Sequence, residues 1–388
     1  MKNKNFFFIL RKYNLFGATN NSLDFILNFK IQNQYKKILF ERNSLENLDN
    51  YYTKILKKNK IKFFILDNFF LLSNKYLVMA YYQIRKLFFI KILTKLKLIL
   101  LLKLYKPKFI YFNYIFNFNE YNSIINNKEY LLHIHTQHFK LKKLDKNQIL
   151  VIQKAKKIIA TNDISYQILK NYVSENKIIN FNLSLSINKI DNLVKNYNDR
   201  EISKYLKILK DLKSKNKIII ANFSAFSERK GSDIFLETAK IASDKNFNEL
   251  FFIWFGFNKK NSFLYENNFS NLKNVLLYEP VTNIYPILEL IDILLITSRD
   301  ESGPLLLLEG MYLEKLCITH INCGFSKKVI GNNKYGICLE ENSSNHYFDL
   351  IKSLDLSSTK IKIIQKNSKN NILENFNYDN TKIDINDI

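Results

Sequence analysis

The sequence predicts an α/β protein built from two domains, each a parallel sheet wound on both faces. Three observations carry this. Strand-length apolar runs alternate with helix-like segments through both halves of the chain. At 388 residues, 47% of them hydrophobic, the chain exceeds the size of about 250–300 residues at which single cores stop growing. No internal repeat or coiled-coil heptad offers another architecture.

Taken in order, the first half reads as a strand at "NFFFIL", a helix from about Ser22, then strands at "KILF", "KFFIL", "KFIYFNY", "YLLHIH" and "KKIIATN". The second half repeats the alternation more cleanly. Its strands are "KIIIANFS", "ELFFIWFGF", "NVLLYEPV", "DILLITS", "LCITHI" and "GICLEE", separated by helical segments such as "SDIFLETAKIA" and "PLLLLEGMYLEK". Between the halves "SINKIDNLVKNYNDREISK" is polar and unpatterned, which sets the expected domains at 1–197 and 198–388, with room for the last helix to pack back on the N-terminal domain.

Charge and glycine are both distributed unevenly. Residues 1–195 hold 34 basic and 11 acidic side chains, whereas 196–388 hold 25 and 24. Only six of the 59 basic residues are Arg, and the wealth of Lys, Asn and Ile resembles the bias of an AT-rich genome, yet such bias does not explain the asymmetry. Any anionic surface this chain meets is met by its first half. Of eight glycines, seven lie between 231 and 336, and Gly17 stands alone near the start. In so glycine-poor a chain each survivor is expected to answer a backbone need. Cys317, Cys323 and Cys338 have neither zinc-ligand spacing nor an even count, and read as buried thiols of a reducing cytosol.

The start of the chain lacks a convincing signal peptide, and lysines interrupt the most apolar stretch, "LFFIKILTKLKLILLLKLY", before it reaches the roughly 20 apolar residues of a spanning helix. A cytoplasmic protein is expected, or one peripheral to the inner face of the plasma membrane. Between Asp67 and Glu120 no residue is acidic while nine are basic, a pattern suited to anionic headgroups or simply to a solvated basic face. Around a helical wheel these charges do not gather on one side, so an in-plane amphipathic helix is not expected.

Two loops carry the chemistry. In open parallel sheets ligands sit beyond the carboxyl ends of the strands, where "FSAFSERKGSD" and "SRDESGP" both fall. Lys230 just ahead of the helix start at Gly231 suits phosphate, through exposed N–H groups, the helix dipole and a cation. Gly303-Pro304 opens the next helix in the same way, with Pro expected at the first helical position. Glu301 and Glu309 bracket the apolar run Leu305 to Leu308, and a carboxylate inside such a helix is costly unless something pairs with it.

Together, Glu301-x7-Glu309 after a strand ending in Ser298, and Lys230-Gly231 some seventy residues upstream, resemble glycosyltransferase family 4, the glycosyl transferases group 1. The likeness is strong over about 215–340. Over 1–195 it rests on "NLFGATNNS", "LLHIHTQHF" and "AKKIIATND". The resemblance implies a GT-B fold, two Rossmann-like domains facing each other across a cleft, and transfer of a hexose-like sugar from a UDP-, GDP- or other nucleotide-diphosphate sugar to a glycan or lipid-linked acceptor. It further implies retention of configuration, no metal, no cofactor beyond the donor, and a place in surface polysaccharide or glycoconjugate synthesis; no nucleic-acid partner is expected, because the chain has no recognisable binding motif and its ligand-like loops lie in the nearly neutral half. Site residues follow in the same way. Glu309 would accept hydrogen bonds from the donor ribose; Glu301 would lie beside the donor sugar; in the loop that follows, Ser302, Gly303 and Leu305 would offer backbone N–H groups to sugar and phosphate, with Pro304 shaping the turn between them. Lys230 would neutralise the departing diphosphate.

Two departures stand out. The Arg that the family places five residues before the Lys is Ala225 here, leaving Arg229 either to reach the same phosphates or to face solvent. The usual Gly-Phe-Pro is Ser302-Gly303-Pro304. In the first half, His135 is the leading candidate for the family's histidine beside the reacting sugar, with His138 close behind and a core histidine equally open. His133, His135 and His138 have no carboxylate or Cys nearby in sequence to complete a metal site. Gly17 either approaches the diphosphate or acceptor, or serves a plain turn. A GT-B-shaped sugar-nucleotide epimerase and a non-catalytic sugar-nucleotide-binding relative remain alternatives.

Overall fold

The computed structural model describes residues 5–13, 18–28, 33–43, 56–66, 88–116, 121, 128–135, 138–181, 183–197, 200–257, 269, 271–281, 283–301 and 303–378. Described residues up to Phe181 form one compact unit and those from Leu183 onward another.

The first unit runs β1 (Phe6–Tyr13), α1 (Ala18–Asn28), β2 (Lys36–Asn43), β3 (Lys62–Ile65), α2 (Phe88–Tyr105), β4 (Phe109–Phe112), β5 (Tyr130–Ile134), α3 (His138–Leu141), α4 (Lys146–Lys154), β6 (Lys157–Ala160), α5 (Asp163–Leu169) and β7 (Ile178–Asn180). Its seven strands are ordered β3-β2-β1-β4-β5-β6-β7 and pair in parallel throughout. Every expected strand of this half is present. The expected first helix opens at Ala18 rather than Ser22.

The second unit continues with α6 (Ile187–Lys195), α7 (Arg200–Ser214), β8 (Ile218–Phe223), α8 (Ser232–Asp244), β9 (Leu250–Phe255), β10 (Val275–Tyr278), α9 (Tyr285–Leu288), β11 (Ile293–Leu295), α10 (Leu305–Tyr312), β12 (Leu316–His320), α11 (Ser326–Ile330), β13 (Ile337–Leu339), α12 (Ser344–Ser353) and α13 (Thr359–Asn375). The order β10-β9-β8-β11-β12-β13, all parallel, is the doubly wound arrangement of a Rossmann-like domain. Both faces of the sheet are covered. Leu294 joins one apolar core while its neighbours Ile293 and Leu295 join the other, which is why the strand reads as an unbroken apolar run.

The boundary falls earlier than residues 197/198. Leu185 accepts from the Tyr378 N–H at 2.8 Å and donates to the Phe376 carbonyl at 2.7 Å, and Ile187 and Ile190 of α6 bury in a core of the second unit. Four apolar residues, Ile187, Ile190, Leu193 and Val194, set at helical spacing among Asn, Lys and Asp, build α6, although the segment looked unpatterned. The last helix, α13, also belongs to the second unit, where Ile361, Ile364 and Ile372 are buried.

Candidate functional site

Strand order in the second sheet reverses between β8 and β11, and ligands of open α/β sheets bind beyond the carboxyl ends of strands at such a point. The loops leaving these two strands carry Lys230 and Glu301. The Lys230 ammonium is bonded to the Glu301 carboxylate, with the side chains only 18% and 12% exposed. Arg229 turns the same way: its guanidinium donates to the Asp300 carbonyl at 2.8 Å and lies 3.9 Å from Glu301 Oε2. Two cations thus converge on one carboxylate, a cluster with positive charge to spare for an anion. Ala225 sits exposed earlier in the loop after β8.

The Lys230 turn is fixed by backbone geometry before any charge acts. Glu228–Lys230 forms one 3₁₀ turn and Gly231 follows at φ +69°, a left-handed conformation in which a Cβ would stand 2.0 Å from the Thr297 carbonyl oxygen. Thr297 Oγ1 donates to the Gly231 carbonyl at 2.8 Å. Arg299 closes the joint, donating to both oxygens of Asp233 on α8 and to the Glu228 carbonyl, while its own N–H reaches the Arg229 carbonyl at 2.9 Å. Such bidentate pairing fixes orientation as well as charge. From β12, His320 Nε2 donates to the Ser298 carbonyl at 2.9 Å; burial lowers the pKa of this imidazole.

Beyond Glu301 the backbone passes under Phe325. A Cβ at Gly303 would meet Leu183 Cδ1 at 2.3 Å and Phe325 Cε1 at 2.6 Å, so a larger residue would have to push both side chains aside. Pro304 is the N-cap of α10 instead of its first helical residue, and Leu305 opens the helix, whose first N–H groups have no preceding helical carbonyl to bond. Ser302 lies outside the described residues. Leu307 and Leu308 are fully buried, and Glu309 is 9% exposed. There the Tyr285 hydroxyl donates to Glu309 Oε1 at 2.9 Å, giving the buried carboxyl group a partner.

Residues 203–371 match the family model described as Glycosyl transferases group 1. The second unit is a group 1 glycosyltransferase domain. Solved structures share the fold along nearly the whole chain. Anabaena HepE in complex with UDP-glucose has a TM-score of 0.71 at 14% identity, with 96% of each chain covered. A glycosyltransferase from Rickettsia africae gives 0.66 at 17% identity, covering 97% of this chain and 95% of that one. WaaG, a glycosyltransferase involved in lipopolysaccharide biosynthesis, gives 0.65 at 11%, with 95% of each covered. The fold is therefore GT-B, with two Rossmann-like domains. No curated protein sequence matches the chain.

The glycosyltransferase domain gathers Lys230, Arg229 and Glu301 at one point and sets Gly303, Pro304, Leu305 and Glu309 along the loop and helix that follow. Sequence reasoning missed three of its supports. Tyr285 is one of 23 tyrosines and gave no signal. Arg299 did, as one of six arginines in a lysine-rich chain, two residues before Glu301. His320 lacks any pattern of its own.

In the first unit, His133 is a core residue: Tyr111 Oη lies 2.7 Å from its Nδ1 and Phe25 packs against its ring. His135 stands just past the end of β5, its ring centroid 4.1 Å from that of His133 and its Nε2 3.2 Å from Ser22 Oγ. Burial holds His133 well below the usual imidazole range and pushes His135 down to about 3, so both are neutral at ordinary pH. Gly17 and the His138 side chain lie outside the described part of the structure. Among the described residues no three His, Cys, Asp or Glu gather as a metal site, and no helix is long and apolar enough to cross a membrane.

Proposed function

We propose that the protein moves a hexose-like sugar, with retention of configuration, from a nucleotide-diphosphate sugar to a glycan or lipid-linked acceptor in surface polysaccharide or glycoconjugate synthesis. The observation that carries this is the convergence of Lys230 and Arg229 on Glu301 at the reversal of the second sheet. As the bond between the anomeric carbon and the diphosphate oxygen breaks, negative charge grows on the leaving group, and the two cations stabilise it there. Arg229 takes the part that Ala225 cannot. Glu301, holding Lys230 in this structure, turns to the hydroxyls of the donor sugar when the diphosphate draws the ammonium away. The backbone N–H groups of Ser302, Gly303 and Leu305 hold sugar and phosphate. Glu309, oriented by Tyr285, accepts from the ribose hydroxyls. The cations supply the charge a metal would otherwise bring.

We assign the acceptor to the first unit, whose excess of basic residues suits a phosphorylated, lipid-linked substrate at the inner face of the plasma membrane, and to its neutral His135 the role of hydrogen-bonding the substrate. Thermal shift against UDP-, GDP-, ADP- and dTDP-glucose tests the reading. One donor should raise the melting temperature in the wild type and do so far less in Glu309→Gln, as ligand linkage requires. No response to any nucleotide sugar would overturn it.

A further inference from the structure

Helix α2 is apolar on two sides. Leu98, Leu101 and Leu102 face the core of the first unit, whereas Ile92, Leu96, Leu100 and Leu104 recur every fourth residue and stand 38%, 55%, 65% and 69% exposed. They are four of the seven large hydrophobic side chains exposed among the described residues. A contiguous apolar stripe about 18 Å long on one helix face marks an interaction site. It also explains why the lysines of this helix failed to gather on a wheel: leucines occupy both the buried and the outward faces.

We infer that the outward face of α2 docks on an anionic lipid bilayer, with the four apolar side chains entering the acyl boundary. Lys103, Lys106 and Lys108, all exposed around the end of the stripe, meet the headgroups, and the long lysine stem lets the ammonium stay in water while its methylenes lie against lipid. Charge selects this occupant over a second copy of the chain. No acidic residue occurs between Asp67 and Glu120, so self-association through α2 would bring two purely basic surfaces together, whereas an acidic bilayer complements them. The inference deepens the proposed lipid-side acceptor and rests on it only for its purpose.

Vesicle binding by the full chain, without donor or acceptor, is the test. Co-sedimentation with phosphatidylglycerol-containing vesicles at low salt should be strong and with pure phosphatidylcholine weak. Leu96→Ser/Leu100→Ser/Leu104→Ser should lower partitioning at least tenfold although its net charge is unchanged, and should keep the donor-induced thermal shift. As a probe that leaves the stripe apolar, Leu100→Trp should show blue-shifted emission with acidic vesicles. Unchanged binding by the triple serine variant, emission that stays at the aqueous wavelength, or a wild type that ignores acidic vesicles would each overturn the inference. So would a concentration-dependent dimer that the serine variant abolishes. Loss of the donor response in the wild type would instead count against the transferase reading.

Discussion

The inner cations of the two units find different partners. In the second, cations near the reversal of the sheet meet carboxylates: Lys230 meets Glu301 and Arg299 meets Asp233. In the first, buried Lys36 and Lys37 bond to backbone carbonyls instead, Lys36 Nζ to Ile26 at 2.8 Å and to Leu27 at 3.3 Å, Lys37 Nζ to Gln34 at 2.5 Å. Glycine follows the same division, with seven of eight in the second unit. A domain that cradles a charged donor needs paired side chains that exchange partners and backbone that turns tightly. The family model matches 203–371 and not the first unit, although the fold extends through both.

The comparison breaks most visibly if the paired cations are idle. Lys230→Ala should lower kcat by about two to three orders of magnitude and raise donor KM far less, because the charge matters most when the leaving group ionises. Equal loss in both constants would reduce Lys230 to an anchor. Next in size is Glu309→Gln, expected to weaken donor binding about 10- to 100-fold with the fold intact, since it removes a charged hydrogen-bond acceptor. Tyr285→Phe should act through the same carboxylate and combine with it non-additively in a double-mutant cycle on donor affinity. Additive effects would separate Tyr285 from the ribose site.

Arg299 sharpens the contrast further, because it pairs with Asp233 in order to place a neighbour. Arg299→Ala should lower kcat about tenfold through the displaced Lys230 turn while donor KM changes little, and Arg299→Lys should recover only part, since an ammonium cannot span both oxygens of Asp233 and the Glu228 carbonyl. Full recovery by lysine would show that charge alone, not the fork, sets the turn.

Much of the second unit was legible because each of its features leaves a local mark. Strands buried on both faces read as continuous apolar runs, and Gly231 is a glycine because Thr297 approaches within van der Waals distance and φ is positive. What remained hidden depended on contacts distant in sequence. Tyr285 reaches Glu309 across 24 positions, and Leu185 joins the segment near Asn377 only through the fold, so neither the partner of the buried carboxylate nor the start of the second unit could be read from composition. The stripe on α2 was hidden differently: lysines and leucines alternate too closely for a wheel to show which leucines the core leaves outside.

The smallest expected effect tests the first unit's habit of burying a lysine on carbonyl oxygens. Lys36 is 1% exposed, and burial lowers its pKa from 10.5 to about 8. Below pH 8 it is protonated in both the folded and unfolded chains, and the full desolvation penalty weighs against folding. Between pH 8 and 10.5 the unfolded chain still binds a proton that the folded chain has released, so the contribution of this residue to stability rises with pH, by at most about 3 kcal/mol. Other titrating groups are common to wild type and Lys36→Met and cancel in their difference. The melting temperature of wild type relative to Lys36→Met should therefore climb by a few degrees between pH 7.5 and 9.5. Parallel profiles would mean that Lys36 keeps an ordinary pKa, and that the first unit solvates its inner lysines as well as water does.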